Sequence, residues 1–454
     1  MIKGLLIILS LLFSFVGYAN QCKIYWSLGY YEKALTQCKE EAEQGNAEAQ
    51  YVLAYMYDYG DGTEQDKQKA VYWYTKSAER GDVGAQNNLA FMFYKGDGIE
   101  QDKQKASYWF TKVAEQGYAD AQYNLGVMYD NGDGVEQDKQ KAFYWFTKAA
   151  EQGYADAQNN LANMYDKGDG VEQDKQKAFY LFTKAAEQGD AEAQYNLGKN
   201  YYFGDGVEQD KQKAFYWFTK AAEQGLAIAQ YNVGFMYGEG EDIKQDKQKA
   251  FYWYTKAAEQ GQSGAQNNLA YMFDNGNGIE QDKQKAFYWY TKAAENGSSI
   301  AKKNLGDKYY YGEDVKQDKK KAFYWYTKAA EQGDVNAQFN LADKYYYGED
   351  VKQDKQKALY WYTKAAEQDN ANAQYHLALM YNKGKDIKKD KQKAIYWYTK
   401  SAEQGNLIAQ YNLALLYDKG DGIEQNKSLA KKYYQLACER HHKKACSKLK
   451  QLTE

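Results

Sequence analysis

Proline is absent from all 454 residues. With no ring to break a helix and no polyproline linker, only glycine and turn chemistry can punctuate the chain. Arginine is almost missing as well, Arg80 and Arg440 being the only two. The planar guanidinium that grips phosphates, bases and carboxylates through paired bonds is therefore lacking along nearly the whole length. An excess of either charge is lacking too. Fifty-nine basic side chains against 62 acidic ones leave a formal charge of −3, which gives a phosphate backbone nothing to hold and points away from nucleic acid. Histidine is scarce, with three residues, and the four cysteines lie only at the two ends, Cys22 and Cys38, then Cys438 and Cys446.

A long apolar run occurs once. Met1 to Lys3 supply a positive start, Leu5 to Val16 form an apolar run interrupted by Ser10 and Ser14, and Gly17 and Ala19 put small residues before a cut after Ala19. This reads as an export signal over residues 1–19, since a membrane-spanning helix needs about 20 apolar residues. A lipoprotein acylated at Cys22 is disfavoured, because Ala19, Asn20 and Gln21 lack the apolar and small residues such a site requires.

Tyrosine is abundant, at 48 residues, and the chain is strongly periodic, which reads as folded. The dipeptide Ala-Gln starts at Ala49, Ala85, Ala121, Ala157, Ala193, Ala229, Ala265, Ala337, Ala373 and Ala409, and Ala301 and Ala445 continue the register before Lys302 and Cys446. The step never varies, so the chain is read as eleven tandem 36-residue repeats over 49–444. A capping half-repeat is expected over 20–48 and a capping helix over 445–454.

One copy, Ala121 to Asp156, shows the logic. Ala121, Leu125, Gly126 and Tyr129 share one face of a first helix, which Gly132 ends. Val135 is the apolar plug of the following loop, and Asp138 caps a second helix. That helix carries Ala142, Phe143, Trp145, Phe146, Ala149 and Ala150 and stops near Gly153. Short loops make the two helices antiparallel, and neither buries its aromatic face until the next copy stacks on it. Gly126, Ala162, Gly198 and Gly234 are small enough for close helix approach, and Asp369 stands where the helix-ending glycine is usual.

The pattern Leu125-Gly126-x-x-Tyr129-x-x-Gly132-x-Gly134-Val135, followed by Lys141-Ala142-x-x-Trp145-Phe146-x-Lys148-Ala149-Ala150-Glu151-Gln152-Gly153, resembles the Sel-one-like repeat (SLR) family, relatives of the tetratricopeptide repeat. The resemblance runs over residues 22–454. It implies an all-α, right-handed α/α solenoid of antiparallel hairpins, and a monomeric adaptor, assembly scaffold or host-interaction factor. Relatives include a secreted protein that binds secretory immunoglobulin A, so a host glycoprotein or an envelope protein is the implied partner, in the periplasm, the medium or on the cell surface. Some cysteine-paired relatives are described as penicillin-binding or β-lactamase-like.

In the repeat register Cys438 falls near the end of a second helix and Cys446 in the next first helix, so a turn between them brings a bridge within reach. Cys22 and Cys38 are expected to clamp the first half-repeat in the same way. A zinc site from Cys438, His441, His442 and Cys446 is the alternative.

Variation among copies concentrates in the first helix, at the positions of Asp120, Tyr123, Val127, Asp130 and Asn131, which form one stripe beside the packing face. In related solenoids that helix lines the concave side. The stripe carries Tyr51, Tyr55, Tyr59, Phe91, Tyr94, Tyr123, Tyr202, Phe203, Tyr231, Phe235, Tyr271, Tyr310, Tyr311, Phe339, Tyr346, Tyr347, Tyr375 and Tyr411. Lys199, Asp307, Lys308, Asp343 and Lys344 add local charge. Tyrosine offers a large, rigid, polar-tipped contact, and a groove of this kind suits an extended segment or a broad protein surface. The bland alternative is drift on a solvated face, with tyrosine resting on tyrosine.

Catalysis finds little support. Ser-x-x-Lys occurs at Ser299/Lys302, Ser428/Lys431 and Ser447/Lys450, but the companion Ser-Asp-Asn and Lys-Thr-Gly elements of serine β-lactamases are missing. Asp130, Asp133, Glu136 and Asp138 lack the spacing of a calcium-binding hand and are read as caps and turns. No cofactor is expected. The reading is a non-catalytic interaction scaffold, with a β-lactamase-like activity or a passive spacer as alternatives.

Overall fold

The computed structural model describes residues 21–240, 242–385 and 387–453, so the expected leader lies outside it. Among the described residues there are 25 helices and no strands. They fall into two compact units, divided after Gln224.

The first unit opens with α1 (Gln21–Ser27) and α2 (Tyr31–Glu43). Hairpins follow: α3 (Ala47–Tyr59) with α4 (Lys67–Glu79), and α5 (Val83–Lys95) with α6 (Lys103–Glu115). Next come α7 (Ala119–Asn131) with α8 (Lys139–Glu151), α9 (Ala155–Lys167) with α10 (Lys175–Glu187), and α11 (Ala191–Phe203) with α12 (Lys211–Glu223).

The second unit repeats the plan. Its hairpins are α13 (Ala227–Glu239) with α14 (Lys247–Glu259), α15 (Ser263–Asn275) with α16 (Lys283–Glu295), and α17 (Ser299–Tyr311) with α18 (Lys319–Glu331). Then come α19 (Val335–Tyr347) with α20 (Lys355–Glu367), α21 (Ala371–Lys383) with α22 (Lys391–Glu403), and α23 (Leu407–Lys419) with α24 (Lys427–Glu439). The last helix is α25 (Lys443–Thr453).

Local chemistry fixes these bounds. Asp138 accepts from the backbone N–H of Gln140 and Lys141, and the same aspartate caps the second helix from Asp66 to Asp390. Gly132 ends the first helix in the left-handed conformation, at φ +76°, and Asp369 adopts φ +61° in place of glycine. Burial follows the expected face with one correction. Met128, not Tyr129, is the deeply buried residue of the turn, and Tyr129 is half-buried beneath the Lys141 ammonium at 5.1 Å. At Gly126 an added Cβ would lie 2.7 Å from the Phe146 ring, so the second helix has come in to fill the space the glycine leaves.

The glutamine of the register dipeptide has a structural task. In the first unit Gln158 donates to the Ala150 carbonyl of the preceding second helix and accepts from Gln188 at the end of its own second helix. Gln86, Gln122 and Gln194 repeat this there, and Gln338 and Gln374 do so in the second unit. At the termini Cys22 is bonded to Cys38, with Cα atoms 4.6 Å apart, and Cys438 to Cys446, at 4.7 Å.

Candidate functional site

The stripe residues divide into three groups. Tyr51, Tyr123, Tyr231, Phe339, Tyr375 and Tyr411 are half-buried against the second-helix rings Tyr74, Phe146, Tyr254, Tyr362, Tyr398 and Tyr434, with centroids 5.9–6.2 Å apart. Phe91 likewise meets Phe110 edge-on at 5.0 Å, Phe235 leans on Tyr231, and Tyr55 stacks on Tyr59 at 4.3 Å. A second group, Tyr59, Phe203, Tyr271, Tyr311 and Tyr347, stands 53–65 % exposed. These five are the most exposed rings of the stripe.

The third group, Tyr94, Tyr202, Tyr310 and Tyr346, shares the Asp130 position and is tied to a residue that sequence reasoning did not single out. The first lysine of each second helix reaches back to this position in every hairpin. Where it is aspartate the lysine forms an ion pair: Lys67–Asp58 at 2.5 Å, Lys139–Asp130 and Lys175–Asp166 at 2.7 Å, Lys283–Asp274 at 2.8 Å and Lys427–Asp418 at 2.5 Å. Where it is tyrosine the ammonium lies over the ring: Lys103 above Tyr94 at 5.3 Å, Lys211 above Tyr202 at 5.1 Å, Lys319 above Tyr310 at 5.5 Å and Lys355 above Tyr346 at 3.3 Å. Asn382 and the Gly238 carbonyl accept from Lys391 and Lys247. The interchange of Asp and Tyr thus keeps one physical property, attraction for a cation.

The same lysines join neighbouring copies. Lys67 also meets Asp97, Lys103 meets Asp133 and Lys139 meets Asp169, the acid in each case lying in the loop of the next hairpin. The Asp133 carboxyl is held below its ordinary value by hydrogen bonds from Lys103 and Tyr94. Of the acids weighed for calcium, Asp130 and Asp133 are paired with lysines, Asp138 is a cap and Glu136 is exposed, and among the described residues no group of three or more His, Cys, Asp or Glu is arranged to hold a metal ion.

Between consecutive first helices the stripe lines open recesses. One of about 340 Å³ lies between α7 and α9, lined by Tyr123, Asp130, Asn160, Met164 and Lys167 among others. A second, about 300 Å³, lies between α3 and α5 at the same register, with Asp58, Tyr59, Asn88, Met92 and Lys95. In the second unit Glu239, Asn268, Tyr271 and Met272 line another of about 300 Å³. The floor is the Met128 position and the asparagine is the Asn124 position in each.

Hairpins α17–α18 and α19–α20 depart from this plan. Lys308 and Lys344 replace the floor methionine and are 4 % and 8 % exposed. Asp314 and Asp350, in left-handed conformations at φ +65°, replace the loop glycine and pair with them at 3.1 and 3.8 Å. Asp307 and Asp343 accept from the hydroxyls of Tyr326 and Tyr362, whose ionisation burial pushes far up. His376, in a position held by asparagine in every other copy but the first, which has Val52, stacks on Tyr362 at 5.2 Å and contacts Phe339, Tyr346 and Tyr375. Burial lowers its pKa and raises that of Asp343.

The Ser-x-x-Lys pairs lie within helices, Ser299/Lys302 and Ser428/Lys431 at helix starts and Ser447/Lys450 towards the end of α25. Lys302 donates to Gln332 Oε1 at 2.7 Å, and burial lowers its pKa. His442 caps Ala445 N and rests on Tyr411 at 4.6 Å. On the second helices, Tyr72, Tyr108, Tyr144 and their equivalents to Tyr396 stand more than half exposed, all but Tyr180 beside an adjacent tryptophan, a feature that the uniformity of the second helix had concealed.

The Sel1 repeat pattern matches eleven consecutive segments: 47–82, 83–118, 119–154, 155–190, 191–226, 227–262, 263–298, 299–334, 335–370, 371–406 and 407–442. The chain belongs to the Sel1 repeat family. This Sel1 repeat chain is similar to a solved protective antigen of uropathogenic Escherichia coli strains with an SLR fold, at 36 % identity and a TM-score of 0.71, over 92 % of this chain and 90 % of that one. It is also similar to a Sel1 repeat protein from Oxalobacter formigenes, at 31 % identity and a TM-score of 0.54, over 72 % of this chain and 93 % of that one. No curated protein matches it in sequence. Sel1 repeats are typically protein-interaction scaffolds. No helix among the described residues is long and apolar enough to cross a membrane.

Proposed function

We propose that this chain is an exported, non-catalytic scaffold that binds a host or envelope protein along the first-helix face. One observation carries the reading: four of the positions that differ between copies, those of Tyr123, Val127, Asp130 and Asn131, line a recess, while the second helix stays nearly constant. Variation on a solvated face would have no reason to gather around concavities. Export is supported by the residues 1–19 pattern, the two cystine pairs and the similarity to a protective antigen, a protein that the host meets.

The test is crosslinking of the full chain in its native setting, followed by identification of the attached protein. Replacing exposed rings by Tyr311→Ser plus Tyr347→Ser is expected to reduce that crosslink about tenfold, because interface aromatics carry much of the binding energy. Undiminished crosslinking would refute the assignment of this face. Nitrocefin turnover that a Ser428→Ala variant abolishes would instead establish the hydrolase alternative.

A further inference from the structure

Two side chains of the protein show what the recesses attract. The Lys308 ammonium, at the floor position, lies 2.8 Å from Asp274 on the preceding first helix. Asp274 accepts at the same time from its resident partner Lys283, also at 2.8 Å. One carboxylate therefore holds two ammonium groups, and these bonds outweigh the effect of burial and keep its carboxyl below the ordinary value. One hairpin further on, the Lys344 ammonium lies 3.6 Å from the centroid of Tyr310. Asp274 and Tyr310 occupy the same repeat position, so a lysine entering from the floor is received by either kind of residue there.

In the first unit the corresponding floors are Met92 and Met164, and the recesses above them, about 300 and 340 Å³, face Asp58 and Asp130. We infer that these two recesses bind lysine side chains of the partner, the ammonium seating against Asp58 or Asp130 as that of Lys308 does against Asp274. The inference rests on the first-helix face being the interaction face and adds the chemistry of its ligand, a lysine-bearing protein segment. Methionine below and the ring at the side suit the methylene stem, while the carboxylate takes the charged head. Each recess is shallow and single contacts are weak, so a segment with several lysines gains by occupying more than one. Lys95 and Lys167 on the rims offer an acidic segment the opposite attraction, which makes the two ligand chemistries separable.

The experiment uses the full chain at low salt and fluorescence anisotropy of three labelled peptides: tetralysine, tetra-acetyllysine and tetraglutamate. Tetralysine is expected to bind at least about fivefold more tightly than the acetylated peptide, a difference of roughly 1 kcal/mol. Asp58→Asn plus Asp130→Asn should weaken tetralysine about fivefold. Glu136→Gln plus Glu172→Gln, the same charge change on exposed loops, should leave it within about twofold. Met92→Lys plus Met164→Lys, which supplies each recess with an internal lysine, should give the loss seen with the asparagine pair, and a retained helical circular dichroism spectrum shows that folding is not its cause. The inference falls if tetralysine shows no measurable binding, if tetraglutamate binds more tightly, or if the recess and loop variants weaken binding equally. Should the Tyr311→Ser plus Tyr347→Ser chain lose its crosslinked protein while the asparagine pair leaves tetralysine binding intact, the face stands and the lysine specificity is wrong.

Discussion

Gln188 donates to Gln158 Oε1 at 2.8 Å across thirty positions of the chain, and Gln158 passes its own amide on to the Ala150 carbonyl. Gln158 is 7 % exposed, and removing it leaves the Ala150 carbonyl with the Gly153 N–H alone and the Gln188 amide with the Lys184 carbonyl alone. Gln158→Ala is expected to cost about 1 kcal/mol, the net worth of the lost bonds. In a stack where each copy leans on its neighbours, hydrogen exchange should speed up first in α8 to α10.

Two links of this chain of bonds are left open by nature. Arg80 and Arg440 stand where the donor amide is found elsewhere, and Gln50 Oε1 and Gln410 Oε1 are buried without a partner. Arg440 donates to the Gly405 carbonyl instead. Arg80→Gln is expected to satisfy Gln50 and raise stability by about 1 kcal/mol. A thermal melt of the variant that shows no rise would indicate that the arginine itself contributes as much.

At Gly126 the Phe146 ring occupies the space of a side chain. Ala54, Ala90 and Ala162 fill the equivalent position in other hairpins at no exposure, so one methyl is tolerated after a small shift of the ring. Gly126→Ala should therefore stay within about 1 kcal/mol, helix propensity offsetting the crowding. Gly126→Leu should cost about 3 kcal/mol or more, read as a lowered denaturation midpoint.

The fold was legible because one dipeptide recurs without a slip, but the reason for it was not. Ala-Gln served as a marker of register, while the bond from each Gln amide to a carbonyl eight residues earlier requires the turn between helices to be known. Periodicity placed the packing face within one residue, naming Tyr129 where Met128 goes deepest, since adjacent positions differ by 100° on a helix and a large ring at the boundary reads as core. The stripe was visible as variation, yet its division into packed, exposed and lysine-covered rings was not. Lys139 went unnoticed, because its reach back to Asp130 over a loop leaves no local signature.

His376 gives the second unit a dependence on acidity that can be tested directly. Burial lowers its pKa from 6.5, so the unfolded chain takes up the proton first. The contribution of the neutral ring is present above the unfolded value and is lost as pH falls through the folded one. Asp343 beside it has a raised pKa and acts in the opposite sense, its burden easing on acidification. His376→Asn, supplying the residue of most other copies, should remove the histidine part and make stability between pH 7 and 5 less sensitive to acid. Parallel pH profiles for both proteins, measured by urea denaturation, would contradict this.

Removal of the first cystine by Cys22→Ala plus Cys38→Ala is expected to cost about 2–4 kcal/mol of local stability. Limited proteolysis should then cut first among residues 21–46, before any hairpin opens. A cleavage pattern unchanged from the native chain would show that packing alone holds the cap.

Within each unit a hairpin relies chiefly on those immediately before and after it, and every copy has the same length without insertion. Deleting residues 119–154, or duplicating them, would rejoin junctions that already exist elsewhere in the chain. Such a protein can change its size by whole copies while inventing no new contact. Heritable adjustment of the length of the first-helix face then becomes a matter of counting, with no redesign of any one copy.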